Sequence, residues 1–383
     1  MKVLIVASAA RSLVNFRGPL IGHLVARGWE VLAAAPDPTD EIRSKLRRLG
    51  AGFRQVSIHR AGINPMRDFG TLVELRRLLQ DERPDIVITY TIKPIIYTGL
   101  AARTLSGGRF FAMITGLGYT FGKTEGLKQR VVGRITKVLY RLALRRYEGV
   151  MFQNPDDQHD FQRAGLLPRG IRSTRINGSG VDLVYFAPVE LPEEVSFLMI
   201  GRLLREKGVN EYIAAARQLK QRFPHVCFKL VGAIDPNPSS LTAAQLQELE
   251  AEGVVKYLGR MEDVRPAIAD ASVYVLPSYR EGTPRTVLEA MAMGRPIITT
   301  DAPGCRETVT PGVNGVLVPP KNADALAAAM ENFITKPEMT QEMGRASLVT
   351  AREKFDADEV AGSIIGFIGE PAVASHSRGG AVG

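Results

Sequence analysis

One stretch, Ser272 to Thr300 (SVYVLPSYREGTPRTVLEAMAMGRPIITT), limits what this chain can fold into. Apolar residues from Val273 to Leu276 end at Pro277, which predicts a strand. A polar loop follows. Thr283 then reads as a helix N-cap with Pro284 at the first helical position. Val287, Leu288, Met291 and Met293 give that helix an apolar face. Gly294 and Pro296 end it, and Ile297 to Thr300 reads as the next strand. Strand, loop, helix, strand is half of a parallel α/β domain. Ligands of such domains sit where strand ends meet helix starts.

Two carboxylates mark that junction. Glu281 lies in the loop and Glu289 inside the helix, with seven residues between them. A helix amino end presents free N–H groups and about half a positive charge, which suits a phosphate. Carboxylates beside an anion site make sense where the ligand also carries hydroxyls, as sugars and riboses do. The spacing alone also fits two solvated glutamates on an ordinary helix.

The run S-Y-R-E-G-T-P-R-T-V-L-E-A-M-A-M-G-R-P-I-I resembles the donor-site motif of glycosyltransferase family 4, retaining enzymes of the GT-B fold. D-A-P-G-C-R-E-T-V (301–309) and N-G-V-L-V-P-P-K-N-A-D-A-L (314–326) resemble the family's downstream pattern, and G-R-L-L-R-E-K-G (201–208) its phosphate-binding loop. The motifs keep the family order and cover most of the C-terminal half. The resemblance implies an α/β protein with two Rossmann-like parallel-sheet domains facing across a cleft. Residues 1–185 would bind the acceptor and 186–355 the nucleotide-sugar, and a helix at 356–369 would cross back to the first domain. Residues 370–383 read as a disordered tail.

Site roles follow from the same resemblance. Glu281 would hold donor-sugar hydroxyls and Glu289 the ribose. The amides around Gly282 and Thr283 would face the donor, and Gly259 to Met261 the base. Arg202 and Lys207, five apart around a strand end, would neutralise the diphosphate leaving group, Arg as a bidentate fork and Lys as a point charge.

In the N-terminal half, Val3 to Ala7 reads as a buried strand, followed by a loop from Ser8 to Arg17 and a helix from Gly18 to Arg27. That loop, carrying Ser12, Asn15 and Arg17, would face the interdomain crevice, with Asn15 a donor contact. It lacks G-x-G-x-x-G, so a dinucleotide has no support. Further strands are expected at 31–35, 53–58, 86–89, 110–115 and 149–153, with helices at 39–49 and 68–80. T-Y-T-I-K-P (89–94) puts Lys93 at a strand's carboxyl end, pointing toward the same crevice, and the resemblance makes it a candidate catalytic residue. Many relatives carry a similar T-H-T-x-K with a histidine near the reacting sugar. Tyr90 stands in its place here, so no imidazole role is carried over. G-L-G-Y-T-F-G (116–122) is either an open substrate loop or a tight turn. In the C-terminal half, strands are expected at 196–201, 228–231 and 254–258, and a final helix at 358–368.

Charge is uneven. The net +9 divides into 29 Lys and Arg against 15 Asp and Glu over residues 1–185, and an acidic remainder. This suggests an anionic partner for the first half, either nucleic acid or a membrane surface. No nucleic-acid-binding signature accompanies it. Residues 123–146 read as a basic amphipathic helix: Leu127, Val131, Ile135, Val138, Leu139 and Leu142 form a stripe among Lys128, Arg130, Arg134, Lys137, Arg141, Arg145 and Arg146. The stripe is either core or an interfacial face on anionic lipid. No apolar run is long enough to span a bilayer, and MKVLIVASAARS reads as a first strand rather than a signal peptide. A cytoplasmic protein, peripheral on the inner membrane face, is expected.

Cys227 and Cys305, the two cysteines, imply neither a disulfide framework nor a zinc site. The sole tempting D-x-D, Asp356-Ala357-Asp358, reads as a helix cap, so no metal or other cofactor is expected. The expectation is a retaining transferase moving a sugar, such as an N-acetylhexosamine, from a UDP-sugar to a polyprenyl-diphosphate-linked acceptor. The alternatives are a nucleotide-sugar epimerase of the same fold and a non-enzymatic sugar-binding protein.

Overall fold

Buried β-branched and aliphatic runs alternate with amphipathic helices through the whole chain, and each run becomes a parallel strand. The structure, a computed structural model, describes residues 1–59, 65–117 and 127–369. The first half runs β1 (Lys2–Val6), α1 (Ala10–Ala26), β2 (Glu30–Ala35), α2 (Asp40–Arg48), β3 (Gly52–Gln55), α3 (Pro65–Glu82), β4 (Ile86–Tyr90), α4 (Ile92–Ala101), β5 (Arg109–Ile114), α5 (Leu127–Leu144), β6 (Gly149–Phe152), α6 (Pro155–Arg163) and β7 (Arg172–Arg175). Its strands form one parallel sheet in the order β3-β2-β1-β4-β5-β6-β7.

The second half runs β8 (Ser196–Ile200), α7 (Val209–Arg222), β9 (Cys227–Val231), α8 (Ala243–Ala251), β10 (Lys256–Tyr257), α9 (Arg265–Ala269), β11 (Val273–Leu276), α10 (Arg285–Ala292), β12 (Ile297–Thr300), β13 (Gly315–Val318), α11 (Ala323–Thr335), α12 (Glu338–Lys354) and α13 (Ala357–Gly369). Its sheet is also parallel, in the order β10-β9-β8-β11-β12-β13. Chain direction across the sheet reverses between β1 and β4 in the first half and between β8 and β11 in the second. The crevice at the carboxyl ends of those strands is where doubly wound sheets hold ligands.

The two-residue alternation of β1 shows how helices cover both faces of the first sheet. Val3 and Ile5 pack toward α1, Leu4 and Val6 toward the opposite face with Leu75 and Ile95. The first face is completed from the far end of the chain: Val360, Ala361, Ile364, Ile365 and Ile368 of α13 bury against it. The chain crosses back beside its first crossing. Val181 pairs with Asp356 as a parallel bridge, with the Val181 amide donating to the Phe355 carbonyl at 2.7 Å.

Arg295 is fully buried and donates to six backbone carbonyls: Ile268, Ala269, Ala271, Met293, Val189 and Glu190. Burial pushes its pKa down to about 10. It fastens the interdomain linker to the ends of α9 and α10.

Several elements differ from the sequence expectation. Helix α1 begins at Ala10, not Gly18, because a start there lines Ala10, Leu13, Arg17, Leu20, Ile21 and Leu24 along one buried side. Pro19, which marks a helix start in the sequence, sits inside the helix. β3 and β10 are shorter than the apolar runs that mark them. β7, with the sequence RSTR, is a polar edge strand that apolar alternation does not reveal. On α5, Val131, Ile135 and Val138 are each about half exposed, so this part of the stripe is not core. Of the loop expected at 116–122, residues 118–122 lie outside the described residues, as do the tail at 370–383 and the start of the basic segment at 123–126.

Candidate functional site

The loop after β11 is built by packing against the loop after β8. The Glu206 carbonyl accepts from the Tyr279 amide at 3.0 Å and the Ser278 hydroxyl at 3.2 Å. This brings Lys207 onto Glu281: Nζ lies 2.5 Å from Oε1, and the same oxygen accepts from the Ser278 hydroxyl at 2.7 Å. Gly208 turns the chain into α7 at φ 77°, where a side chain would strike the Pro277 carbonyl. Lys207 and Glu281, expected to act on neighbouring parts of one ligand, are therefore brought together. Lys207 is half-buried rather than solvent-facing. Arg202 is not part of that pair. Its largely exposed guanidinium lies 3.4 Å from Asp235.

Glu289 lies on α10, one turn after Arg285, whose Nε donates to it at 2.8 Å. Its carboxyl is 8 % exposed, and burial raises its pKa above the ordinary carboxylate value although Arg285 opposes the shift. Gly259 occupies a left-handed turn at φ 72° after β10, with open space where a side chain would stand. Met261 packs half-buried on the second core.

The amino end of α10 differs from expectation. The helix starts at Arg285, and Thr283 makes no cap. Its hydroxyl instead donates to the Gln153 carbonyl across the domain boundary at 3.2 Å. Gly282 is held on the same boundary. A Cβ there would collide with Gln153 and the Thr115 carbonyl, so only glycine fits. The Asn154 amide nitrogen donates to the Gly282 carbonyl at 2.9 Å and to the Glu281 carbonyl at 3.3 Å. Arg280 grips Asp157 at 2.5 Å and Asp160 at 2.7 Å on α6, and Arg306 reaches Asp156 at 2.8 Å. Asp157 is wholly buried, and burial lifts its pKa against the pull of Arg280. Residues 280–283 are thus anchored to the first domain. Sequence reasoning passed over Arg280, Asn154 and Asp157, since no spacing links residues so far apart in the chain.

In the first domain, Asn15 is exposed on α1 rather than in a loop, because the helix begins before it. Lys93 stands in the first turn of α4, and its Nζ is paired at 2.9 Å with Asp68 of α3. The structure joins it to that carboxylate, not to Glu281 or Glu289. Tyr90 ends β4 buried, its hydroxyl 2.8 Å from that of Ser12 and its ring 4.9 Å beneath the Arg17 guanidinium. Burial raises its pKa to about 12. Asp356 caps α13 by accepting from the Asp358 amide at 2.9 Å, which accounts for the D-x-D. Among the described residues, no helix is long and apolar enough to cross a membrane.

Residues 17–174 match the family of glycosyl transferase 4-like domains, and residues 186–348 that of glycosyl transferases group 1. N,N'-diacetylbacillosaminyl-diphospho-undecaprenol alpha-1,3-N-acetylgalactosaminyltransferase of Campylobacter jejuni is 31% identical over 341 residues, covering 85% of this chain and 88% of that protein. Among solved structures, sucrose-phosphate synthase from Thermosynechococcus elongatus superposes with a TM-score of 0.78 at 19% identity, over 96% of this chain and 98% of that one. Anabaena HepE in complex with UDP-glucose gives 0.75 at 18%, over 96% and 99%. The paired parallel sheets and both halves of the match place the chain in glycosyltransferase family 4: it is a glycosyltransferase of the GT-B fold.

Proposed function

We propose that this glycosyltransferase takes a UDP-sugar, such as a UDP-N-acetylhexosamine, and transfers the sugar with retention to a polyprenyl-diphosphate-linked glycan at a membrane surface. The observation that carries the reading is the cluster of Lys207, Glu281 and Ser278 at one strand end, with Glu289 on the helix beyond it. A cation for the diphosphate beside a carboxylate for hydroxyls matches a nucleotide-sugar in both charge and polarity. Support for the donor comes from HepE, of the same fold and solved with UDP-glucose. Support for the acceptor comes from the Campylobacter relative, whose name specifies a diphospho-undecaprenol-linked sugar.

In this reaction the bond from sugar C1 to the phosphate oxygen breaks and its electron pair leaves with UDP. The acceptor hydroxyl bonds to C1 on the same face and releases its proton to the departing phosphate. Lys207 and Arg202 stabilise the charge that develops on the diphosphate, so the step needs no metal. Glu281 orients the sugar and Glu289 the ribose.

The membrane part of the proposal rests on exposed apolar side chains of the first domain. Val131, Ile135 and Val138 follow one face of α5, while Met66 and Phe69 project from the start of α3. Both helices pack against α4, and the exposed Arg130 and Arg134 flank the α5 stripe. Apolar residues beside basic ones suit an anionic bilayer interface.

The test is UDP release from UDP-N-acetylhexosamines with and without a polyprenyl-diphosphate-linked sugar. Release that depends on the acceptor is the expected result. Conversion of the nucleotide-sugar without UDP release identifies an epimerase, and binding without either reaction leaves a sugar-binding protein.

A further inference from the structure

Arg17 interrupts the apolar side of α1. It is 2 % exposed, among Leu13, Leu20 and Ile21, which are buried too. Its Nε is buried with no hydrogen-bond partner, and Nη1 reaches only the neighbouring Phe16 carbonyl at 3.3 Å. No carboxylate among the described residues pairs with it. Burial lowers its pKa; Tyr90 opposes the shift, and the positive charge of Arg285 adds to it. A buried charge with no opposite charge beside it is costly to keep, and this one is offset by a single long hydrogen bond to a neighbouring carbonyl.

Its surroundings place it at the crevice. The guanidinium lies over the ring of Tyr90, the last residue of β4, and the Tyr90 hydroxyl meets Ser12 at 2.8 Å. Thr91, next in the chain, holds φ 68° and donates to the Ser8 hydroxyl at 2.9 Å, tying the ends of β4 and β1 together. From the second domain, Arg285 lays its guanidinium 5.3 Å over the ring of Phe16. One guanidinium from each domain therefore contacts Phe16, Arg17 at its backbone carbonyl and Arg285 at its ring, beside the point where strand order reverses in the first sheet. Arg285 has the Glu289 carboxylate, whereas Arg17 has none.

We propose that Arg17, with Arg285 across the cleft, forms an anion site for a diphosphate, separate from the Lys207 and Arg202 region. Resting on the function proposed above, that diphosphate is the one carried by the lipid-linked acceptor. The guanidinium fork supplies the two parallel donors that a phosphate accepts, and Tyr90 fixes its plane. The anion supplies the charge balance that Arg17 lacks in the protein alone.

The experiment saturates the protein with UDP, so that the donor phosphate region is filled, and titrates inorganic pyrophosphate by calorimetry. The parent is expected to bind one pyrophosphate. Arg17→Gln is expected to weaken that binding by about tenfold or more, and Arg17→Lys to weaken it less. The melting temperature of Arg17→Gln should be no lower than the parent's, since the change removes an uncompensated charge. A second arm compares transfer to a polyprenyl-diphosphate-linked sugar with transfer to the same sugar on an uncharged octyl group. Arg17→Gln should raise KM for the first by about tenfold and for the second far less. If the parent uses neither acceptor, the acceptor assignment fails while the titration still decides the site. Equal pyrophosphate affinity in parent and Arg17→Gln, no pyrophosphate binding by the parent, or pyrophosphate that merely displaces UDP, each overturns the site.

Discussion

Lys207 and Glu281 form an ion pair at 2.5 Å between two loops of the second domain, with side chains 22% and 14% exposed. The cation assigned to the leaving group and the carboxylate assigned to the sugar therefore restrain each other. Lys207→Ala is expected to cost about 2–4 kcal/mol of transition-state stabilisation, the scale of one preorganised electrostatic contact. Arg202→Ala should cost less, because its guanidinium is 60% exposed and must still be recruited by the ligand. Steady-state turnover checks both. Turnover within a few-fold of the parent in the Lys207 variant would remove it from the leaving-group role.

On the proposed reaction, the two glutamates serve different halves of one ligand. Glu281→Gln should keep UDP affinity but lose the extra affinity contributed by the sugar. Glu289→Ala should weaken UDP itself. Calorimetry with UDP and with the UDP-sugar on both variants reads the division directly, and equal effects on the two ligands would rule it out.

Glu289 also carries a pH signature. Its folded pKa is raised by burial above the value in the unfolded chain, near 4.3. Its contribution to stability is thus fully present below that value and is lost as pH rises through the folded pKa. Replacing it by Gln removes this loss. The melting temperature of Glu289→Gln minus that of the parent should therefore increase between about pH 4 and pH 7. A difference that does not change with pH would contradict the buried, raised carboxyl.

Membrane adsorption should involve the exposed face of α5. The protein is expected to sediment with anionic vesicles but not zwitterionic ones. Salt should weaken the binding, since the Debye length falls from about 10 Å at 0.1 M to about 3 Å at 1 M. Changing Arg130 and Arg134 to Glu and Ile135 to Ser should reduce vesicle binding and activity on lipid-linked acceptor while sparing a short-chain soluble acceptor. Arg141 is unsuitable for this test because its guanidinium donates to the Ala164 and Gly165 carbonyls at the end of α6. Undiminished vesicle binding by the triple variant would exclude this face.

Turnover is expected to survive EDTA, because in the proposed reaction Lys207 and Arg202 supply the positive charge opposite the diphosphate. Activity abolished by chelation and restored by a divalent cation would replace that account with a metal-assisted one.

Local signals in the sequence revealed most strands of both sheets that carry apolar runs, since a buried parallel strand is apolar along its length, but not β13 (Gly315–Val318). They also marked Glu281, Glu289 and the loop at 201–208, which stand in continuous motifs that resemble the family's. What they missed depends on contacts between distant residues. Thr283 has the composition of an N-cap, yet the Gln153 carbonyl from the other domain takes its hydroxyl. Lys93 reads as free at a strand end until α3 supplies Asp68. Arg17 looked like a loop residue because Gly18 and Pro19 resemble a helix start, and only the full length of α1 shows it as a buried cation.

The return of α13 onto the first sheet has a consequence for how the protein is made. While the ribosome is still adding residues 186–356, the first domain has every strand of its sheet but not the helix that completes, beside α1, the cover of one side of it. The face that later receives Val360, Ile364 and Ile368 stays open to water or to chaperones until the end of translation. A nascent chain stopped near Phe355 would hold both sheets and still bury one core incompletely. Separate expression of the first domain should therefore succeed only when residues 357–369 are supplied with it, in cis by a short linker or in trans as a peptide.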